Sequence, residues 1–534
     1  MKTGGTRRDF LKAVGVAGGA GVLYETMGAL GLAPTPAQAA VQDFAPPRAA
    51  DLKTSGRGAP KVLVLGAGIA GLTTAYELGK AGYTCRVLEA KGRPGGRNWT
   101  VRGGTELRDL DGHVQRASFS KGEYMNAGPA RIAQSMVTLD YCRELGVALE
   151  PFVNQNADAY IHHDNAGALS GKSTRWRTAK ADVYGYVSEL LAKATDRGAL
   201  DAELSSQDKE RVLAFLRDFG AIGGKDQNFA YTGTSRRGYT VEPGAGDEAG
   251  TVLGPPPSMT DVFASLYGRR FSFEFGYDQA MMMLQPVGGM DRIAYALAEA
   301  VGSERISYRC EVKSITDLAE GVEVTYTDAG GRERVERADY CVATLQPMVL
   351  AKIPHNLGAD VKAALTYPVA NPVGKMGLEY TSRWWEERDR IYGGITPTDL
   401  DIAQIWYPSY GFHGKRGTLV GYYHFGANAT AYGQLTPAQR VERAVAAGVK
   451  IHGEVYRSKL ASTFSVAWHR TPHIEGGWVS WPSRTSGEYA LLNKPAGHVY
   501  FAGDWLSYFI AWQAGAFDSA RKVVTELHER VMAA

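Results

Sequence analysis

The segment NAGPARIA, residues 126–133, sets one arginine, Arg131, among small and apolar neighbours, with Gly128, Pro129 and Ala130 shaping an uncrowded backbone before it. A guanidinium is a planar fork of donors that matches a carboxylate bidentately, and desolvation strengthens the pair. Arg131 therefore either points to water or faces an anion in a pocket. In NPVGKMGLEY, Lys375 sits on what reads as an alternating strand. A third stretch, KVLVLGAGIAGLTTAYELGKAGYTCRVLEA, has the parts of a dinucleotide site. Lys61 to Leu65 reads as a strand, and Gly66-x-Gly68-x-x-Gly71 follows at once. Leu72 to Lys80 then reads as a helix, with Ile69 and Ala70 in the turn that leads into it. Gly66 makes the turn, Gly68 lets the backbone approach a pyrophosphate, and Gly71 packs helix on strand. The helix N-terminus faces the phosphates. A second strand ends at Glu89 and Ala90, about 20 residues on, where an acid binds ribose hydroxyls.

The rest of the chain limits what these residues can serve. It has 534 residues and a net charge of +3, with lysine and arginine scattered and no basic run, which gives no reason to expect a nucleic-acid partner. The length predicts two or three intertwined domains. Cys85, Cys142, Cys310 and Cys341 are far apart, fit no metal spacing and read as buried thiols. The N-terminus, TRRDFLKAVGVAGGAGVLYETMGALGLAPTPAQAA, pairs Arg7 with Arg8 ahead of a weakly apolar stretch that Glu25 interrupts, and it ends in Ala37-Gln38-Ala39. Residues 1–39 read as a twin-arginine signal peptide, which predicts a periplasmic or secreted protein with no membrane span, and residues 40–57 read as a linker.

Directly after Glu89, RPGGRN (residues 93–98) adds a second glycine pair, including Gly96, and places Arg97 to bring charge to the far side of a pyrophosphate. At this point the sequence resembles the flavin amine oxidase family, whose members include L-amino acid, monoamine and polyamine oxidases. HVYFAGDWLSYFIAWQAGAFDSARKVV (residues 498–524) resembles that family's C-terminal flavin segment, with Asp504 where the family usually has glutamate. Its small residues Ala511, Ala514, Gly515 and Ala516, with Trp512 and Gln513, let a helix start lie close to a flavin, where its dipole favours negative charge on the reduced ring.

The resemblance implies an α/β fold: a discontinuous Rossmann-type FAD-binding domain (58–100, 287–365 and 494–534), a mixed-sheet substrate domain (101–175 and 366–493) and a helical subdomain (176–286). It implies that Val312 touches the adenine side of FAD through its backbone. Trp478 stands where some monoamine oxidases carry a flavin-linked cysteine, so FAD is expected to be non-covalent. A homodimer is the expected assembly.

The substrate class is left open between amines, polyamines and amino acids. In L-amino acid oxidases a Gly-Pro-x-Arg segment lies against the flavin and its arginine binds the substrate carboxylate. Arg131 matches that position, and Tyr407 in AQIWYPSYGF matches a tyrosine that reaches the same carboxylate. Lys375 matches a lysine that holds a water near flavin N5. The implied reaction is oxidation of an L-amino acid by hydride transfer from Cα to N5, hydrolysis of the imino acid to a 2-oxo acid and ammonia, and reoxidation by O2 to hydrogen peroxide. The rivals are an amine oxidase, an amino acid monooxygenase, and an amino acid-binding flavoprotein without turnover. The family's helical-region histidine has no counterpart, because no histidine lies between Asp164 and Pro354. Trp478 and Trp512 as walls suggest large or apolar side chains, whereas Glu475 or Glu488 would favour basic ones.

Overall fold

The computed structural model describes residues 44–56 and 58–534, so the twin-arginine segment lies outside the described residues. Where a linker was expected, Ala49–Ser55 is a helix. Asp51 Oδ2 accepts the Arg48 amide at 2.7 Å, Gly56 ends the helix with φ +66°, and Leu52 is buried. Asp51 also reaches His528 at 3.3 Å. Local capping and one apolar anchor outweighed a composition that reads as loop.

The apolar run VLVL forms the centre of a five-stranded parallel sheet, ordered Ile306–Tyr308, Thr84–Glu89, Lys61–Leu65, Tyr340–Ala343, Val499–Phe501. Residues 62–65 are all buried, because helices cover one face of the parallel sheet and an antiparallel layer packs on the other. The helix Ile69–Lys80 packs against both Arg292–Val301 and Gln513–Ala533. Three long excursions between these strands build most of the remaining elements. One of them, Glu311–Asp317 with Val322–Thr327 and Glu333–Ala338, is an antiparallel layer whose last turn uses the glycine pair at 330–331.

A second sheet is antiparallel, ordered Ile395–Pro397, Gln404–Trp406, Gly417–Phe425, Val373–Tyr380, Leu460–Ala467. Its strand VGKMGLEY is buried at every position. The alternation visible in the sequence therefore does not mark a solvent face. The helices Trp176–Asp196 and Ser206–Gly220 share one apolar core with this sheet: Trp176, Ala179 and Leu216 belong to the same cluster as Met376, Leu378 and Tyr422. The fold is thus a mixed α/β structure with a parallel sheet.

Candidate active site

The two glycine turns face each other. Gly68 bridges to Gly95, and the Gly95 amide donates to Ala67 O at 2.7 Å. A Cβ on Gly71 would collide with Gly66 O, and one on Gly128 would collide with Arg97 O, whereas one on Gly68 would meet nothing within 4 Å. Gly71 and Gly128 are thus required for packing, and Gly68 leaves backbone open to a cavity of about 480 Å³. That cavity is bordered by Gly66, Gly68, Ile69, Ala70, Glu89, Ala90, Gly96, Arg97, Gly128, Pro129, Val312, Trp478, Asp504, Ala511, Trp512, Gln513 and Ala516.

Its polar walls suit an elongated, anionic cofactor. The helix Ile69–Lys80 starts without a side-chain cap or an acid in its first turn, so its amides are free for a phosphate. The Glu89 carboxylate is held by the amides of Ala67 at 2.7 Å and Lys91 at 2.8 Å, which fixes it at the end of its strand. Both amide atoms of Asn98 and Nε2 of Gln513 are buried on this cavity with no protein partner. Orphaned groups of this kind are costly unless a ligand satisfies them. The residues present therefore fit the flavin that the motifs imply.

Some expected contacts are redistributed. Gly71, Ala130, Arg131, Ala514 and Gly515 do not line the cavity; a Cβ on Gly515 would strike Ser507 and Phe509, so this glycine seats the helix on the preceding loop. Arg97 and Asp504 form an ion pair with each other, while Asp504 Oδ2 also accepts the Ala511 amide at 2.9 Å. The shorter acid thus orders the approach to the C-terminal helix as well as facing the cavity. Arg97 also donates to Gly477 O at 2.7 Å. Gln346 and Lys91 hold the same 472–477 loop through its carbonyls, and Lys352 pairs with Glu475. Glu475 is therefore committed to this loop.

The NAGPAR backbone is fixed from four sides. Tyr124–Asn126 pairs with Thr100–Arg102, Trp468 Nε1 donates to Ala127 O at 2.9 Å, and Ile132 bridges to Leu284. From the fourth side Lys375 Nζ donates to Gly128 O at 2.5 Å and Asn126 O at 3.3 Å. Arg131 thus leaves a rigid turn. Its guanidinium lies 4.8 Å from the Trp406 ring and under 6 Å from Phe152, Phe273 and Trp512. A 3.4 Å contact from Nη2 to Gln279 Oε1 is its one recorded side-chain hydrogen bond, Nε is buried without a partner, and no carboxylate forms an ion pair with it among the described residues.

Lys375 is 2% exposed, with Nζ 4.8 Å from the Trp406 ring and 4.7 Å from Tyr423. Burial and the neighbouring Arg131 push its ammonium down to about 7, and burial pushes the Arg131 guanidinium down to about 10. At neutral pH the surroundings of Arg131 and Lys375 are cationic and aromatic, and among the described residues no carboxylate is in ion-pair contact with either side chain.

Tyr407 is elsewhere, which corrects the expectation that it reaches the substrate. Its hydroxyl is 2.9 Å from Thr396 Oγ1 and 2.8 Å from His452 Nε2, inside the core shared with the helices. Adjacent residues of a strand face opposite ways. Trp406 therefore takes the site face, and Tyr407 turns its back on it. Tyr410, three residues further on, is also engaged elsewhere, since its hydroxyl donates to Tyr124 O at 3.1 Å. Trp406 and Tyr423 are the site residues that sequence reasoning missed, because only the strand register brings them to Arg131 and Lys375. Tyr407→Phe is expected to change kcat/KM by less than about threefold while costing ~1–3 kcal/mol of stability, since His452 Nε2 loses a buried partner. Thermal melts and steady-state kinetics on the same preparation check it.

Residues 69–528 match the profile of the flavin-containing amine oxidoreductases. Among curated proteins, an L-amino-acid oxidase of Pseudechis australis is 24% identical over 85% of this chain and 83% of its own, and one of Demansia vestigiata is 25% identical over 88% and 86%. Among solved structures, cyclohexylamine oxidase from Brevibacterium oxydans IH-35A superposes with a TM-score of 0.58 at 18% identity, over 89% of this chain and all of its own. A putrescine oxidase bound to putrescine gives 0.57 at 18%, over 88% and 99%. With a glycine-bordered cavity, orphaned polar walls and a profile match across most of its length, the chain belongs to the flavin-containing amine oxidoreductases.

Proposed function

We propose that this enzyme oxidises L-amino acids to 2-oxo acids, with release of ammonia and hydrogen peroxide. The supporting observation is Arg131: a guanidinium enclosed by four aromatic rings, with a buried Nε that no protein group satisfies. A substrate carboxylate provides both the missing acceptors and the missing charge, and it gains most where water is excluded. When bound, FAD would supply the acceptor for a hydride leaving Cα and the route for its electron pair to O2. Arg131 orients the carboxylate, Trp406 and Trp512 flank it, and the rigid NAGPAR turn limits the rotations open to the substrate. Lys375, fixed on the carbonyls of that turn, places a titratable ammonium beside the reacting region. Its position supports a role in the oxygen step.

A panel of L-phenylalanine, L-leucine, L-arginine and L-glutamate, assayed for both peroxide and 2-oxo acid, tests the reading. Equimolar 2-oxo acid and peroxide are expected. Turnover of cyclohexylamine, putrescine or phenethylamine with none of the amino acids would make it an amine oxidase, and an amide product would make it a monooxygenase.

FAD is held without a covalent bond in this reading. Trp478 occupies the wall where a linking cysteine would be required, and Cys310, the one cysteine bordering the cavity, lies beside Val312 at the proposed adenine end. Acid precipitation is expected to release all of the flavin into the supernatant. Fluorescence retained on the protein band after denaturing electrophoresis would contradict this.

A further inference from the structure

The 266–286 stretch delivers two consecutive side chains to the Arg131 pocket. Gln279 Oε1 contacts Arg131 Nη2 at 3.4 Å, and Asp278 Oδ2 accepts the Trp512 indole N–H at 2.8 Å. The stretch is held from below by Asn154, whose backbone amide donates to Met281 O at 2.8 Å and whose Nδ2 donates to Ala280 O at 2.9 Å. Asp278 is half-buried and forms no ion pair among the described residues. Its charge is felt at Arg131, with which it forms no ion pair. A cation and a carboxylate that do not pair with each other thus lie on either side of the Trp512 ring, which receives Asp278 at its indole N–H and stands near the guanidinium with Phe273.

We propose that Asp278 determines side-chain specificity by binding the far end of the substrate, and that the preferred substrates are L-amino acids with a cationic side chain, an ammonium or a guanidinium. The proposal rests on the reading of Arg131 as the α-carboxylate site. Asp278 is unsuited to hold the α-amine. That nitrogen must be uncharged when hydride leaves Cα, and a carboxylate beside it would keep it protonated. A side-chain cation carries no such penalty, and the methylenes leading to it pack on aromatic faces that also attract the positive charge. Glu475 is tied to Lys352 at the cofactor end, and Glu488, on the helix Gly487–Leu492, makes no hydrogen bond or ion pair to Arg131 or Trp512 among the described residues. Neither can take this part.

The test compares L-lysine with L-norleucine, an uncharged analogue with the same methylene run, on the FAD-loaded enzyme. Wild type is expected to favour L-lysine. Asp278→Asn keeps an acceptor for Trp512 and is expected to reduce the lysine-to-norleucine ratio of kcat/KM on the order of tenfold. Asp278→Glu restores the charge and is expected to recover most of the ratio, and flavin absorbance reports whether each variant keeps the cofactor site. A ratio unmoved by Asp278→Asn, or a wild type that oxidises L-norleucine and rejects L-lysine, overturns the proposal. Oxidation of amines with no L-amino acid turned over would instead remove the Arg131 reading, a result visible in wild type without any variant.

Discussion

Replacing Arg131 by alanine is expected to lower kcat/KM for L-amino acids by roughly two to four decades. Removing one partner of a buried charged pair costs on the order of 3–5 kcal/mol, and about 1.4 kcal/mol corresponds to a factor of ten. The loss is large because four rings enclose the guanidinium, so little water can replace it as the carboxylate's partner. Arg131→Lys keeps the charge and loses the fork, and it should recover only part of the rate. An amine such as phenethylamine separates substrate binding from a structural role. It leaves no carboxylate unpaired, so the alanine variant should handle it about as well as wild type does. Equal losses on amino acid and amine, in steady-state assays of FAD-saturated enzyme, would assign Arg131 to the cofactor or the fold.

For Lys375→Met, stopped-flow kinetics are expected to show reoxidation by O2 slowed by ~10²-fold, the order typical of a positioned charged or proton-bearing group, with reduction by substrate falling less. Two observations set the pH dependence. Burial and Arg131 push the Lys375 ammonium down to about 7 in the protein alone, charged below that pH and neutral above it, and negative charge on a bound reduced flavin would raise it. Reoxidation should therefore titrate with an apparent midpoint at or above 7. A carboxylate seated on Arg131 cancels part of the repulsion and should move the midpoint upward. Because Lys375 also holds Gly128 O and Asn126 O, some loss of substrate affinity is expected from a looser NAGPAR turn. Reduction impaired as severely as reoxidation would make turn support the main role of this lysine.

Local patterns with a strict physical requirement were legible in the sequence. The turn at Gly66, Gly68 and Gly71 tolerates little else, since a side chain on Gly71 has no room and one on Gly68 would stand where a phosphate must approach. Arg131 stood out because a guanidinium among glycine, proline and alanine must either reach water or meet an anion. Strand register was much harder to read. Trp406 and Tyr407 are neighbours in sequence, and choosing which one faces the pocket requires knowing how Gln404–Trp406 pairs with Gly417–Phe425. Tyr423 was invisible for the same reason, being set opposite Lys375 only by an antiparallel ladder. An alternating strand such as the one carrying Lys375 commonly has one wet face, but both faces of this sheet are covered, one by the helices of the shared core and the other by the strands Thr100–Arg102 and Tyr124–Asn126. Asp278 carried no sequence signal, because its meaning depends on Trp512, 234 positions away in the chain.

The order of strands in the parallel sheet has a consequence for how the protein comes into being. Lys61–Leu65 borders Tyr340–Ala343, and the sheet edge is completed only by Val499–Phe501. A nascent chain displays the phosphate-binding turn early, yet it lacks Asp504, Trp512 and Gln513 until synthesis has passed residue 513. Pairings this distant must overcome loop-closure entropy before they return any stabilisation, which makes them slow to form. Cofactor capture is therefore a post-translational event, and the half-formed parallel sheet, with its apolar edge uncovered in the meantime, is the species most in need of protection from aggregation.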